Sequence, residues 1–372
     1  MKRHKTFAIY YVIRKNLFLF NTKISSLTVI VVFLCTFIFL FTVKPANAAC
    51  EGLTVKDIAK FQKAIGNIQN KRSRAVAHVH TEGTLPHSGI YDVSRLAEED
   101  WQEMREIALL WDLNHKKDSS VVLSELMQSW AGIYQPNFNP IDETNLDAYI
   151  DAYNIAHNAL TSSARAQSQH FIERLTKGYL QQMEYSFSLN DTRWSNNWNS
   201  HRVKLVVMGA GALNDQNLWR RGKEEFISQI SRNIYPDGST VDFKERDAIH
   251  YVVYDLEPLL QAALTANGKG ESWLDLKGKN GSSLETALDW LLPYALGEKS
   301  HQEFVNTRVR FDIIRRSAGL KGYSGAWDPH EAAKLYGLAS LLDKKYVSVA
   351  KILNRNTKNM AWYVCMYSKL SK

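Results

Sequence analysis

Two stretches of the chain concentrate side chains that move protons and hold anions. Ser195-Asn196-Asn197-Trp198-Asn199-Ser200-His201-Arg202 stands directly before the apolar run Val203 to Leu213. Phe243 to Pro258 carries Arg246, His250 and Tyr254 at i, i+4 and i+8, with Asp247 and Tyr251 as a neighbouring i, i+4 pair. Residues four apart share a helix face, so the second stretch predicts one face bearing a guanidinium, an imidazole and a phenol. A phenol has an unperturbed pKa of about 10, and a nearby cation favours its ionised form. That setting suits tyrosine to proton transfer. In the first stretch Asn197 and His201 are four apart and share a face if the helix has begun. If it begins later, Asn199 or Ser200 becomes its cap.

The elements that carry these residues read as helices. Ala97, Trp101, Met104, Ala108 and Trp111 repeat at helical steps, as do Leu146, Tyr149, Ile150 and Tyr153. Val203, Val207 and Ala210 continue the pattern, as do Leu335, Leu338, Ala339 and Leu342. Pro136, Pro140, Pro236, Pro293 and Pro329 are expected between helices. Pro236-Asp237-Gly238-Ser239 reads as a turn. Few alternating segments are long enough for strands. The chain after residue 48 is therefore expected to be one all-helical domain of about ten or more helices, paired antiparallel and stacked as a solenoid or closed into a ring.

Other candidates fail their context. His78-Val79-His80 follows an apolar run, as in some barrel metal sites, but the alternating strand and helix pattern of such a barrel is missing. No metal site is expected there. Gly209-Ala210-Gly211 resembles a piece of a dinucleotide loop but sits inside a helical run, where small residues serve close helix packing. The 10 Trp and 17 Tyr are suited to stacking on sugars, but each is first a candidate for core or groove wall.

Composition sharpens the choice of partner. The chain has 372 residues, 45% hydrophobic and 23% charged, which excludes disorder as the main state and a small disulfide scaffold. The 46 Lys and Arg exceed the 38 Asp and Glu, a net charge of +8 that points to nucleic acid or a membrane surface. Seven of those cations (Lys2, Arg3, Lys5, Arg14, Lys15, Lys23 and Lys44) lie in residues 1–48, which hold no acid, leaving 39 against 38 elsewhere. Residues 1–48 read as an export signal, with the uncharged run 24–43 and an Ala46-Asn47-Ala48 cleavage pattern. Uncleaved, the run is long enough to be a membrane anchor. Either way the working part acts outside the cytoplasm, in the periplasm or beyond. Cys50 and Cys365 could pair there. Nucleic acid is not the expected partner.

The two chemical stretches resemble the alginate lyase family of polysaccharide lyases. The similarity runs through Asn196-Asn197, Ser200-His201-Arg202, Asp237-Gly238, Arg246-Asp247 and His250-Tyr251-Val252-Val253-Tyr254. It continues in Leu256-Glu257-Pro258-Leu259 and Trp327-Asp328-Pro329, with Trp130 to Tyr134 and Asn139-Pro140-Ile141 upstream. The order departs from the usual Asn-Asn-His-Ser: Trp198 follows Asn197, and His201 comes three residues later.

The resemblance implies an incomplete (α/α) toroid over residues 49–372 with a groove for a uronate-containing polysaccharide such as alginate. It implies β-elimination without a cofactor, by a monomer. Tyr254 matches the catalytic Tyr, as proton donor or as base and donor in turn. His201 matches the His, as base or as neutraliser of the sugar carboxylate. Asn197 or Asn199 supplies the neutralising amide, and Arg246 holds the carboxylate or lowers the Tyr254 pKa. Trp198, Asn199, Arg202, His250 and Tyr251 are assigned to substrate binding. Two other readings remain. One is a glycoside hydrolase on a helical toroid drawing on Asp247, Asp255 or Glu257. The other is a non-catalytic polysaccharide-binding protein.

Overall fold

Helices make up every regular element that the computed structural model describes, over residues 55–185, 191–354 and 366–367. The export signal, its apolar run 24–43, and Cys50 and Cys365 lie outside the described residues. The α-helices are α1 Val55–Ile65, α2 Tyr91–Asn114, α3 Lys117–Ile133, α4 Asp147–Ala156 and α5 Ser162–Tyr185. There follow α6 Asn197–Leu213, α7 Gln216–Asn233, α8 Val241–Arg246, α9 Ile249–Gly268 and α10 Leu284–Ala295. The last three are α11 Arg310–Ser317, α12 Ala333–Leu342 and α13 Val347–Leu353. Between described residues only two isolated β-bridges occur, Ile234 with Thr240 and Gln302 with Ala326.

Packing follows the chain in two concentric rows. Helices α2, α4, α6, α9 and α12 each touch the next, while α3 touches α5 and α5 touches α7. This is the incomplete (α/α) toroid. The inner helices α6 and α9 are covered on nearly every side. From Asn197 to Gly211 only Trp198 escapes burial. Apolar residues cover the later turns of α6 on every side, while its buried first turns carry polar side chains that bond to neighbouring elements. The Gly209 position shows how tight the packing is. A Cβ there would overlap the Thr176 hydroxyl on α5. The small-residue run is a packing device, as expected.

The aromatic residues split as their burial dictates. Trp101, Trp130 and Tyr134 stack edgewise in the core with centroids 5.0 to 5.8 Å apart, each such pair adding roughly 0.5–1.5 kcal/mol beyond its buried area. The Trp130 indole donates to Asp100 at 2.8 Å. Trp194 and Trp198 instead stay partly open at the groove.

Two expectations about helix limits change. Arg246 does not share a helix with His250 and Tyr254. Helix α8 ends at Arg246, Asp247 turns left-handed at φ 49°, and α9 begins at Ile249. An aspartate tolerates that conformation, and Glu303 accepts the first free amides of α9, Ile249 at 2.8 Å and His250 at 3.1 Å. The Asp247–Tyr251 pair is broken with it, and Asp247 instead accepts from the Asn306 amide at 2.9 Å. Pro293, expected between helices, lies inside the end of α10, and Pro258 lies inside α9. Pro293 has no N–H for the carbonyl of Asp289, four residues earlier. The Pro293 carbonyl takes the amides of Glu298 and Lys299. Pro258 has no N–H for the carbonyl of Tyr254, four residues earlier. The Pro236–Ser239 turn is present, with Gly238 at φ 90° against the carbonyl of Thr286.

Candidate active site

Helix α6 starts where its cap allows. Asn196 accepts the Trp198 amide at 3.1 Å, which makes Asn197 the first helical residue. Asn197 and His201 therefore share a face of α6, as the earlier of the two starts predicts. The N-terminal ends of α6 and α9 lie side by side and open onto a cleft of about 450 Å³. Its walls carry Asn197, Trp198, Arg246, His250, Tyr251 and Tyr254, together with Arg193, Arg315 and Tyr323.

Each predicted residue has a definite setting. Tyr254 stacks obliquely on His201, ring centroids 4.5 Å apart at 51°. Burial, with Tyr251 adding to it, pushes the Tyr254 pKa up. His201 is 3% exposed, and its Nδ1 lies 2.7 Å from the Thr144 hydroxyl. Burial, followed by the neighbouring Lys204, drives its pKa well below the usual value, so the imidazole is neutral. Its Nε2 is buried without a hydrogen-bond partner.

Asn197 is anchored by Asp242, which accepts its backbone N–H at 2.7 Å and its side-chain amide at 2.6 Å. The same Asp242 accepts Nε of Arg246 at 3.1 Å, and Asp312 takes Nη1 of that arginine on both oxygens at 2.7 Å. One buried carboxylate thus fixes both an amide and a cation at the cleft. The guanidinium lies 3.8 Å from the centre of the Tyr251 ring. Arg246 therefore does not lower the Tyr254 pKa as expected. The α8–α9 break sets it on Tyr251, while burial dominates at Tyr254.

The binding candidates divide. His250 lines the cleft and reaches Glu331 at 2.9 Å. Tyr251 lines it too, and its hydroxyl accepts from Arg315 at 2.8 Å. Trp198 borders this cleft and a second one of about 350 Å³ that Arg202 also lines. The Arg202 guanidinium lies 3.8 Å over Trp194 and donates to the Arg193 carbonyl. Burial lowers its pKa to about 10, still charged at neutral pH. Asn199 turns away. Its amide donates to Gln229 at 2.7 Å, and it lines neither cleft. At 100° per residue, positions 197 and 199 lie about 200° apart around the helix, so only one can face the groove.

Sequence reasoning missed Arg193, Arg315 and Tyr323. Arg315 packs over Phe311 at 4.3 Å and Tyr323 at 5.1 Å. Both come from chain more than 50 residues beyond the second stretch, where no spacing marks them. The carboxylates considered for hydrolysis do not line the cleft. Asp255 is buried against Ser200 and Asn233, Glu257 pairs with Lys334, and Asp247 holds Asn306. His80 pairs with Asp142 at 2.9 Å, and no cluster of three metal-ligating side chains occurs among the described residues.

A family model described as alginate lyase matches residues 48–301. Solved structures with similar folds include alginate lyase A1-III, as the apo form of a histidine-to-alanine variant. It has a TM-score of 0.55 and 16% identity, with 80% of this chain and 86% of that one covered. The same variant complexed with a tetrasaccharide has a TM-score of 0.52 and 15% identity, with 81% and 90% covered. An alginate lyase from Bacteroides ovatus has a TM-score of 0.55 and 15% identity, with 87% and 94% covered. Compared by sequence with curated proteins, the chain matches none.

Proposed function

The chain belongs to the alginate lyase family of polysaccharide lyases, and from that membership we propose that it cleaves a uronate-containing polysaccharide such as alginate by β-elimination. The observation that carries the reading is Tyr254 on the wall of a cleft that also holds Asn197, Arg246 and Arg315, with the His201 ring packed behind it and not itself lining the cleft. Oligosaccharide binding by a relative, crystallised with a tetrasaccharide, supports a sugar chain as ligand.

The chemistry follows from the groups at hand. The ring hydrogen beside a uronate carboxylate is weakly acidic. Its removal sends charge into the carboxylate, and donors fixed there stabilise that charge more than they stabilise the ground state. Asn197 and Arg246 supply those donors, pinned by Asp242. The electron pair left by the proton forms the ring double bond and expels the glycosidic oxygen. That oxygen takes a proton from an acid. Tyr254, kept protonated by burial, is the proton donor. In this reading Tyr251 reacts as the phenolate: its oxygen, which accepts from Arg315 at 2.8 Å, takes the ring hydrogen as a proton and becomes the phenol, while Tyr254 gives its proton to the leaving oxygen and becomes the phenolate. A proton passed back from Tyr251 to Tyr254, directly or through solvent, restores both. His201 stands beside Tyr254 as a neutral ring.

Binding extends from the same walls. Trp198 offers a ring face between the two clefts, and Arg193 and Arg202 supply positive charge beside it. Asp191 pairs with Arg193, and Glu82 lines both clefts, so in this reading a polyanion is held by donors at fixed positions and not by an excess of positive charge. Residues 49–372 are the catalytic domain in this reading, acting as a monomer in the periplasm or after secretion, with 1–48 as the export signal. Among the described residues no helix is long and apolar enough to cross a membrane.

Incubation with polymannuronate, polyguluronate and other polyuronates, without added metal, tests the proposal. The expected result is growing absorbance near the ultraviolet edge from the unsaturated product. Binding without any turnover would favour the non-catalytic reading instead.

A further inference from the structure

Lys204 lies one turn beyond His201 on α6 and is buried. Its ammonium has three N–H donors and no lone pair to accept with. All three have acceptors: the Thr144 carbonyl at 2.8 Å, the Thr144 hydroxyl oxygen at 3.0 Å and Asp147 at 2.8 Å. The Thr144 oxygen therefore receives a hydrogen from Lys204. Its own proton is free to go to the other near atom, Nδ1 of His201 at 2.7 Å. A neutral imidazole that accepts at Nδ1 carries its hydrogen on Nε2. That Nε2 is the buried atom without a partner, on a ring 4.5 Å from Tyr254.

We propose that Thr144 is a positioning residue that fixes His201 as the Nε2–H tautomer, so that His201 serves the reaction as a hydrogen-bond donor and not as the base. The tautomer rests on the hydrogen-bond geometry, in which Nδ1 of His201 is the acceptor that lies next to the Thr144 hydroxyl proton. Its catalytic consequence rests on the lyase reading. The Nε2–H is then ready for an oxygen that gains negative charge nearby, on Tyr254 or on the uronate. The charged groups acting on the ring are Lys204 and Arg202 on its own helix, Asp147 on α4 and Lys334 on α12. The excess of cations opposes a second proton on it.

The direct test is nitrogen-15 NMR of the histidine rings in the whole protein at neutral pH, with His201 assigned by loss of its signal in His201→Gln. The expected spectrum has an unprotonated Nδ1 and a protonated Nε2. An Nδ1–H tautomer, or an imidazolium, overturns the proposal, whatever the enzyme assay shows. In Thr144→Val the tautomer becomes mixed and kcat falls about tenfold with little change in KM, while Thr144→Ser keeps both near wild type. An unchanged spectrum and rate in Thr144→Val also overturns it. Should that variant fail to fold, the wild-type spectrum still decides. Absence of lyase activity would sink the function and leave the tautomer measured.

Discussion

His201 and Tyr254 meet ring to ring, 4.5 Å apart, from two inner helices that the fold packs side by side. Burial acts on them in opposite senses, holding the imidazole neutral and the phenol protonated. Both groups are uncharged at neutral pH, Tyr254 on the cleft wall and His201 buried behind it. Removing the Tyr254 hydroxyl leaves the ring contact intact. Tyr254→Phe is therefore expected to lower kcat by at least about 100-fold, as for loss of a general acid, with an unchanged melting temperature. Full activity in a folded Tyr254→Phe protein would end the donor role.

The Tyr251–Arg315 hydrogen bond of 2.8 Å predicts a second effect. Arg315→Ala frees the Tyr251 oxygen from its cationic donor and should cut kcat by about tenfold or more, since bonds to charged groups contribute about 1.5–3 kcal/mol. Tyr251→Phe should cost at least as much. An Arg315→Ala protein that loses only substrate affinity, at unchanged kcat, would assign Arg315 to binding alone.

Asp242 predicts the pH dependence. Burial raises its pKa to about 6, even with Arg246 and Asn197 opposing the rise. The folded state thus holds this proton more tightly than the unfolded chain, whose carboxyl titrates near about 4. Its contribution to stability is greatest below about 4 and declines as pH rises through about 6. Activity should run the other way, because the ionised carboxylate anchors Asn197 and Arg246. We expect kcat/KM to fall as pH drops below about 6. Asp242→Asn should have a lower plateau without that limb, and an identical limb in the variant would place its origin elsewhere.

Gly209 predicts a stability effect far from the chemistry. Its missing Cβ would press on the Thr176 hydroxyl, whose own hydrogen bond runs to the Ile172 carbonyl at 2.8 Å. Gly209→Ala should destabilise the domain by about 1–3 kcal/mol by overpacking, and adding Thr176→Ala should recover part of it. Denaturant unfolding measures both. A neutral Gly209→Ala would mean that α5 and α6 can separate freely.

The helices were legible because apolar spacing reports burial directly, but spacing left a solenoid and a ring both open, and the toroid was implied only by the family resemblance. The polar stretch before Val203 was legible for the same reason, since a buried helix start with that many hydrogen-bonding groups needs a use. The break at Asp247 was not, because one left-handed aspartate leaves no trace in a helical period. That break moved Arg246 from beside Tyr254 onto Tyr251. Asn197 and Asn199 stood as alternatives until the Asn196 cap fixed which faces the groove. Arg315, Tyr323 and Thr144 come to the site through tertiary folding from ordinary-looking segments. No local pattern of theirs distinguishes a cleft wall from any other surface.

The mass of the products tests β-elimination most directly. After digestion of a polyuronate, every new non-reducing end made by this mechanism lacks one water, relative to a hydrolysed end. The predicted spectrum is a ladder of unsaturated oligouronates from the wild-type domain and none from Tyr254→Phe. A ladder of saturated oligosaccharides with new reducing ends, or intact polymer from every polyuronate offered, would contradict the account.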